Sequence, residues 1–156
     1  MSSSISPLTR SDVRHARNSD AGVVVELLRQ SHAAARWKFP FDPMRAHSLF
    51  CAHEQSAHTA AIVMEYRGSP AGILMAHAFD HPFGAGMCSF ETVWFIAEEA
   101  RGRGALKMLD AYEDWARDIG CVYACMASLA INDVSRIYTR CGYAPVETHF
   151  MKALTV

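Results

Sequence analysis

The sequence contains no long hydrophobic run, and no stretch approaches the roughly 20 consecutive apolar residues that span a bilayer. Its start, MSSSISPLTRSD, is polar and lacks the apolar centre of a secretory signal. Charge of one sign is also scarce, because the formal net charge is −1. No overall field would therefore attract nucleic acid or an anionic membrane, and any anion binding must be local. These absences predict a cytoplasmic protein with no membrane or nucleic-acid partner.

Patterns that bind metals or form disulfides are missing as well. None of the five cysteines belongs to a CxxC pair, and Cys121 and Cys125, in one candidate strand, would lie about 13 Å apart. That separation is too large for a disulfide. The eight histidines are scattered, and His77 and His81 straddle a strand end and a His-Pro turn. We expect reduced thiols and no metal site.

The residues that are present fit one globular domain. The chain has 156 residues, of which 51% are hydrophobic and 20% charged, enough to bury a core of its own. No internal repeat or low-complexity linker divides it. We predict a flexible N-terminal tail at residues 1–11 and a single domain over residues 12–156.

The first half of the chain predicts a strand, two helices and a hairpin. A candidate strand at residues 12–16 precedes a helix that Asn18 or Ser19 can cap. Asp42, with Pro43 at the first helical position, begins a second helix. The β-type runs HTAAIVMEY and AGILMAHAF, joined by the turn signal RGSP, predict an antiparallel hairpin.

The second half adds the remaining strands and helices. MCSFETVWFI is a third β-type run, and residues 102–119 keep apolar positions at helical spacing. CVYACMAS predicts a further strand, and NDVSRIYTRC a short helix that Gly142 ends. The tail YAPVETHFMKALTV is expected to hold two strands broken near Pro145. This order predicts an α/β fold with a central mixed sheet flanked by about four helices.

Two motifs in this order carry a resemblance to a known family. VWFIAEEARGRGALKML supplies a strand, Arg101, and then Gly104 at the start of a helix. The second motif places three residues at three-residue intervals before the tripeptide CGY: Asn132, Ser135 and Tyr138. With VRHARNSDA near the start and HFMKAL near the end, the chain resembles the GNAT superfamily of N-acetyltransferases over residues 13–154.

The resemblance implies a splayed sheet and a coenzyme A site. A helix start presents N–H groups without partners and partial positive charge, which suit a pyrophosphate. Glycines let phosphate oxygens reach those amides without meeting a Cβ. The strand before the helix is expected to pair with the pantetheine amides through its backbone. The cofactor-binding residues that follow are Trp94, Phe95, Ile96, Arg101, Gly102, Arg103, Gly104, Ala105, Leu106, Asn132 and Ser135.

Several of these residues have simpler interpretations. RGRG in isolation would be a solvated basic turn, and the three apolar residues of the strand fit a core equally well. Asn132 could cap the short helix instead of binding the cofactor. Leu106 stands where the family usually has Gly or Ala, so it could weaken cofactor binding or push the loop outward.

Two residues are candidates for catalysis. Tyr138 matches the family's usual general acid near the sulfur, and a tyrosine is protonated at neutral pH; the alternative is a buried core tyrosine on an apolar stripe. Glu91 is the candidate base, because a carboxylate in an apolar strand rarely lacks a partner or a task. Its alternative is a structural ion pair or a solvent-facing strand end. His77 and His81 are further candidate bases.

The amine acceptor is expected to enter near RWKFPF and HPFGAG, where aromatic residues could line a pocket or merely pack over the core: Trp37, Phe39, Phe41 and Phe83. The predicted function is acetyl-CoA-dependent N-acetyl transfer to a small-molecule or protein amine, directly in a ternary complex and without a metal. The protein would be a monomer or a homodimer. The alternative is a catalytically degenerate acyl-CoA-binding or protein-interaction module on the same fold.

Overall fold

One five-stranded sheet organises the molecule. The computed structural model describes residues 12–154. The first three strand junctions are antiparallel, and the last, between β4 and β5, is parallel. The mixed sheet predicted from the sequence is therefore confirmed. In the order in which they lie, the strands are β1 (Asp12–His15), β2 (Thr59–Tyr66), β3 (Ser69–Asp80), β4 (Met87–Ile96) and β5 (Cys121–Cys125).

Four α-helices accompany the sheet within residues 12–154: α1 (Ala21–Ala34), α2 (Pro43–Gln55), α3 (Gly104–Asp118) and α4 (Ser135–Arg140). The predicted cap of α2 is present, because the Asp42 carboxylate accepts hydrogen bonds from the amides of Met44 and Arg45 at 3.0 and 3.1 Å. The predicted cap of α1 is wrong. Asn18 and Ser19 form a short 3₁₀ turn, and the α-helix begins only after it.

The helices cover both faces of the sheet. Tyr112 of α3 contacts Ser89 through its hydroxyl, whereas His53 of α2 contacts Thr92. Residues three apart on a strand lie on opposite faces, so α2 and α3 pack on opposite sides. Strands β2 and β3 are consequently buried on both faces, which explains their continuous apolar runs. The fully buried residues include Ile62, Val63, Met64, Ile73, Leu74 and Met75.

The sheet opens between β4 and β5. Their ladder begins at Met87 opposite Cys121 and ends at Phe90 opposite Cys125. Strand β4 then continues through residues 91–96, which pair with β3 on their other side. A bulge interrupts that pairing, because Met75 lies opposite Val93 and Ala76 opposite Glu91, leaving Thr92 without a partner. The splayed sheet is confirmed.

The two strands predicted for the C-terminal tail are wrong. Residues 143–154 contain no strand, and their apolar side chains are exposed, Phe150 to 94% and Val146 to 83%. Pro145 has no N–H to donate to a ladder, and within the described chain β5 pairs only with β4. A β-type sequence without a partner strand does not form a strand.

Three further expectations concern the chain as a whole. All five cysteines are free thiols. No helix in the described part of the chain combines the length and the apolar character needed to cross a bilayer. The predicted tail at residues 1–11 lies outside the described residues.

Candidate cofactor and catalytic site

Helix α3 begins without a side-chain cap. Arg103 occupies the N-cap position and its side chain makes no capping bond, in contrast to the Asp42 carboxylate at the start of α2. Gly102, just before it, has a φ of +150°, a conformation that side-chain-bearing residues rarely adopt. Arg101, Gly102 and Arg103 are all exposed. The helix start therefore presents uncapped N–H groups, partial positive charge and two arginines to solvent.

The residues that follow separate into a buried and a surface set. Gly104 is buried at the first position of α3, and Ala105 donates its amide to the carbonyl of Gly102 at 3.1 Å. Leu106, the residue that departs from the family pattern, is 47% exposed. Its side chain lies at the surface next to the helix start.

The end of β4 leads directly to this helix start. Arg101 donates from Nε to the carbonyl oxygen of Ile96 at 3.2 Å, which ties the two elements together. Trp94, Phe95 and Ile96 are partly buried and pack against the core, so the structural interpretation of their side chains holds. Trp94 has a further feature, because its indole Nε1 is buried with no hydrogen-bond partner in the described chain. A buried N–H without a partner is costly, and a ligand oxygen would satisfy it.

Glu91 and Tyr138 meet at one residue beyond β5. The amide of Ala127 donates to Glu91 Oε1 at 3.1 Å, and the Tyr138 hydroxyl donates to the Ala127 carbonyl at 2.8 Å. The ring of Tyr138 also lies 5.9 Å from that of Trp94. The structure thus brings the candidate acid and the candidate base to the mouth of the open strand pair.

Burial changes the protonation of both groups. Burial raises the pKa of Glu91, and the hydrogen bond from Ala127 offsets part of that effect. Burial also raises the pKa of Tyr138, and the nearby Glu91 carboxylate adds to the increase. The phenol therefore keeps its proton at neutral pH, and the carboxylate is more basic than an exposed one. The raised pKa of Glu91 suits a base, whereas the raised pKa of Tyr138 makes its hydroxyl a weaker proton donor, so the expected role of Tyr138 depends on its position.

In the second motif, Asn132 does not have the position that a cap of α4 would need. Asn132 donates its amide to Leu129 in a turn and does not cap α4. The N-cap residue is Val134, whose side chain makes no capping bond. Asp133, one residue earlier, accepts at Oδ1 from the Ser135 amide at 2.9 Å and from the Ser128 hydroxyl at 3.1 Å. The sequence interpretation missed these contacts of Asp133. Ser135 is the first residue of α4.

The aromatic residues expected near the acceptor form two separate groups. Trp37 stacks on Phe39 at 5.7 Å, and His32 contacts the rings of both Phe39 and Phe41. Phe83 is 93% exposed in the β3–β4 loop, where His81 is its ring neighbour at 6.0 Å. No ring contact within residues 12–154 joins the two groups. A third group, which the sequence interpretation missed, stacks His77 with Phe79 and Phe90.

Comparison with known families decides the assignment. The model of the acetyltransferase (GNAT) family matches residues 24–143. The chain belongs to the GNAT family. The match includes the end of β4, the start of α3 and Tyr138, so the GNAT motifs coincide with the site described above. A search of curated protein sequences finds no match to the chain.

Solved GNAT structures share the fold at low sequence identity. A predicted acetyltransferase from Clostridium acetobutylicum, crystallised with acetyl-CoA, is 15% identical with a TM-score of 0.77, covering 93% of this chain and 97% of its own. A ribosomal-protein-alanine N-acetyltransferase from Brucella melitensis biovar Abortus 2308 is 18% identical with a TM-score of 0.75, covering 94% and 100%. An aminoglycoside N-acetyltransferase in complex with CoA is 16% identical with a TM-score of 0.77, covering 96% and 98%. Family membership makes this chain an acyltransferase by class.

Proposed function

We propose that the protein transfers an acetyl group from acetyl-CoA to a primary amine, directly and in a ternary complex. The observation that carries the proposal is the uncapped start of α3 at the end of a strand with an open edge. Uncapped amides favour a diphosphate, and an unpaired strand edge favours an extended amide chain. Coenzyme A contains both groups in the same order.

Residues at the end of β4 and at the starts of α3 and α4 would each bind a different part of the cofactor. The amides of residues 103, 104 and 106 would bind the pyrophosphate, with Ala105 packed beside it and charge-assisted bonds from Arg101 and Arg103. The backbone of residues 94–96 would pair with the pantetheine arm, and the buried Trp94 N–H suits a carbonyl oxygen of that arm. Asn132 and Ser135 lie near the start of α4, where we propose contacts to the same arm. Acetyl-CoA supplies the acetyl group as a thioester, and no step requires a metal.

Catalysis would depend mostly on positioning, assisted by the pair at Ala127. We propose Tyr138 as the group that donates a proton to the departing sulfur, turning its hydroxyl away from the Ala127 carbonyl to do so. Glu91 is proposed to accept the proton that the amine loses as it attacks. Because both side chains bind the same residue, their separation is set by one short segment after β5. General acid–base assistance of this kind contributes about 10²- to 10⁴-fold.

The acceptor is proposed to be a primary amine on a small molecule or a protein. Two fold neighbours are a ribosomal-protein-alanine N-acetyltransferase and an aminoglycoside N-acetyltransferase, and both of these acceptor classes carry such amines. We propose Trp37, Phe39 and Phe83 as contributors to acceptor contact from the two loops. Aromatic faces attract ammonium groups, which supports loops of this composition beside an amine site.

Calorimetry with acetyl-CoA, followed by thiol release over a panel of amines, tests the proposal. We expect binding of one acetyl-CoA and turnover of at least one amine. Binding with no turnover on any lysine peptide, aminoglycoside or polyamine would support the non-catalytic module instead. Absence of binding would overturn the proposal altogether.

The variant Gly104→Glu tests the pyrophosphate site. Because Gly104 is buried at the helix start, a carboxylate there would repel the phosphates and crowd the amides. We expect no measurable acetyl-CoA binding by calorimetry, with folding checked by circular dichroism. Ser69→Glu adds the same charge at the exposed first residue of β3 and should leave the affinity unchanged. Unchanged affinity in Gly104→Glu would remove the site from α3.

A further inference from the structure

A row of hydrogen-bonded side chains crosses from β3 to α2 at the bulge of β4. Thr92, the bulged residue, has its Oγ1 2.9 Å from Nε2 of His53 and 3.3 Å from Nδ1 of His77. His53 in turn has its Nδ1 2.9 Å from the carbonyl oxygen of Leu49. Three polar groups from three elements therefore meet at the strand that forms the open edge.

The partners assign the direction of every bond in the row. A carbonyl oxygen only accepts, so His53 Nδ1 carries a hydrogen and donates to Leu49. His53 is buried, and burial holds its pKa below the usual range, so its Nε2 is an acceptor. The Thr92 hydroxyl must then donate to His53, which leaves its oxygen to accept from His77 Nδ1–H. The row consequently fixes His77 in one tautomer, with the basic lone pair on Nε2.

The surroundings of His77 leave that nitrogen accessible. His77 is exposed, and its Nε2 has no hydrogen-bond partner in the described chain. Its ring stacks on Phe79 at 5.6 Å and lies 6.5 Å from Phe90, while those two rings are 5.4 Å apart. The aromatic faces hold the imidazole in place and offer a surface that attracts an ammonium group. An oriented base thus stands beside a surface suited to a cationic amine.

The row lies on the opposite face of the sheet from the proposed acid. Thr92 and His77 lie on the α2 side, whereas Glu91 and Tyr138 bind Ala127 beyond β5. A thioester in the opening between β4 and β5 would have Tyr138 on one side and His77 on the other. The attacking nitrogen and the leaving sulfur occupy different positions around the carbonyl carbon, so an acid and a base on different sides suit the reaction.

We propose that His77 deprotonates the incoming ammonium group of the acceptor, and that Thr92 and His53 are positioning residues that hold its imidazole. This inference rests on the proposed function and extends it to the acceptor side. It also specifies the substrate class, an aliphatic primary amine that arrives protonated. Glu91 keeps its proposed role in the later step.

The proton balance requires two acceptors. An ammonium group must lose two protons to become an amide nitrogen. The first passes to His77 Nε2 and then to bulk solvent, which an exposed imidazole can reach. As the nitrogen–carbon bond forms and the carbon–sulfur bond breaks, the second passes to Glu91, and Tyr138 protonates the sulfur. A proton then passes from Glu91 through solvent to the Tyr138 oxygen, which restores both groups. The net release is one proton per turnover, the one that His77 passed to solvent.

Nitrogen-15 NMR of the histidine rings tests the row without any substrate. In the wild type we expect Nδ1–H tautomers for both His53 and His77. In Thr92→Val the bond to His77 is lost, so its ring should shift towards the other tautomer, while Thr92→Ser should keep the wild-type pattern. An Nε2–H tautomer of His77 in the wild type, or an unchanged spectrum in Thr92→Val, would overturn the proposed row.

Steady-state kinetics with the amine that turns over best tests the role. We expect His77→Ala to lower kcat by about 100-fold and Thr92→Val by about tenfold, with acetyl-CoA affinity unchanged and Thr92→Ser restoring the rate. His58→Gln, an exposed histidine outside the row, should behave as wild type. Wild-type turnover by His77→Ala would overturn this inference alone, whereas absence of turnover in the wild type would overturn the proposed function with it.

Discussion

The hydroxyl of Tyr138 has a structural role as a hydrogen-bond donor and a proposed chemical role as an acid, and the variant that lacks this hydroxyl tests both. In the free protein it donates to the Ala127 carbonyl. We expect Tyr138→Phe to lower kcat by about 100-fold, since the departing sulfur loses its proton donor. Acetyl-CoA affinity, measured by calorimetry, should change little. Loss of the hydrogen bond should cost about 1 kcal/mol in the free energy of unfolding.

A neighbouring tyrosine provides the matched control. The Tyr143 hydroxyl donates to Glu113 at 3.1 Å, and its ring lies 5.8 Å from that of Tyr138. Tyr143→Phe therefore removes a comparable hydrogen bond nearby without touching the proposed acid. If both variants lose activity equally, the loss reflects packing and Tyr138 belongs to the core.

Single residues also show where sequence reasoning reaches its limit. Glu91 and Tyr138 were predicted from residue type and motif spacing, and the structure brings them to one peptide unit. Their common partner, Ala127, carries no signal in its side chain, because both contacts go to its backbone. The row through Thr92 was equally hidden, since it joins residues 39 and 15 positions apart along the chain. Only the tertiary fold brings such groups together.

At the scale of elements, one ion-pair cluster fastens the first strand to the start of α1. Arg14 of β1 binds Asp20 at 2.8 Å and also Glu65 of β2 at 2.8 Å. The hydrogen bond from Arg14 lowers the pKa of Asp20, so the ionised carboxylate favours the folded state. This stabilisation is complete above the unfolded pKa of about 3.9 and disappears as the pH falls through the lower folded value.

Replacement of the carboxylate tests this cluster. We expect Asp20→Asn to lower the free energy of unfolding by about 2 kcal/mol at pH 7, because Arg14 loses a charged partner. Denaturant titrations should show this difference shrinking below about pH 4. The control is Asp114→Asn, which removes the ion pair between Asp114 and Arg117. Because the Asp114 side chain is 73% exposed, this change should lower the free energy of unfolding by under about 0.5 kcal/mol. If the difference in the free energy of unfolding persisted unchanged at low pH, the ionised Asp20 carboxylate would not be its source.

Elements with local signals were predictable, and those that depend on partners were not. The hairpin of β2 and β3 and the cap at Asp42 follow from turn and capping residues within a few positions. The start of α1 was misplaced because Asp20 turns its carboxylate to Arg14 and Arg17 instead of capping the helix. The tail after Tyr143 has β-type residues, but no neighbouring strand in the described chain accepts it. Propensity alone cannot supply that partner.

For the whole molecule, the consequence of the fold is that the opening between β4 and β5 leads to the uncapped start of α3. A ligand that fills both would lengthen the β4 edge and cap α3 together. Binding of acetyl-CoA at about 100 times its Kd adds about 2.7 kcal/mol to the free energy of unfolding.

Hydrogen exchange followed by mass spectrometry should localise that gain in stability. We expect slower exchange in peptides covering residues 91–96 and 101–107, and no change in the β2–β3 turn around Gly68. Gly104→Glu should show neither effect. Protection confined to another part of the chain would mean that acetyl-CoA binds elsewhere on this fold. The proposed roles of Tyr138, Glu91 and His77 would then fail together, because all three assume a thioester between β4 and β5.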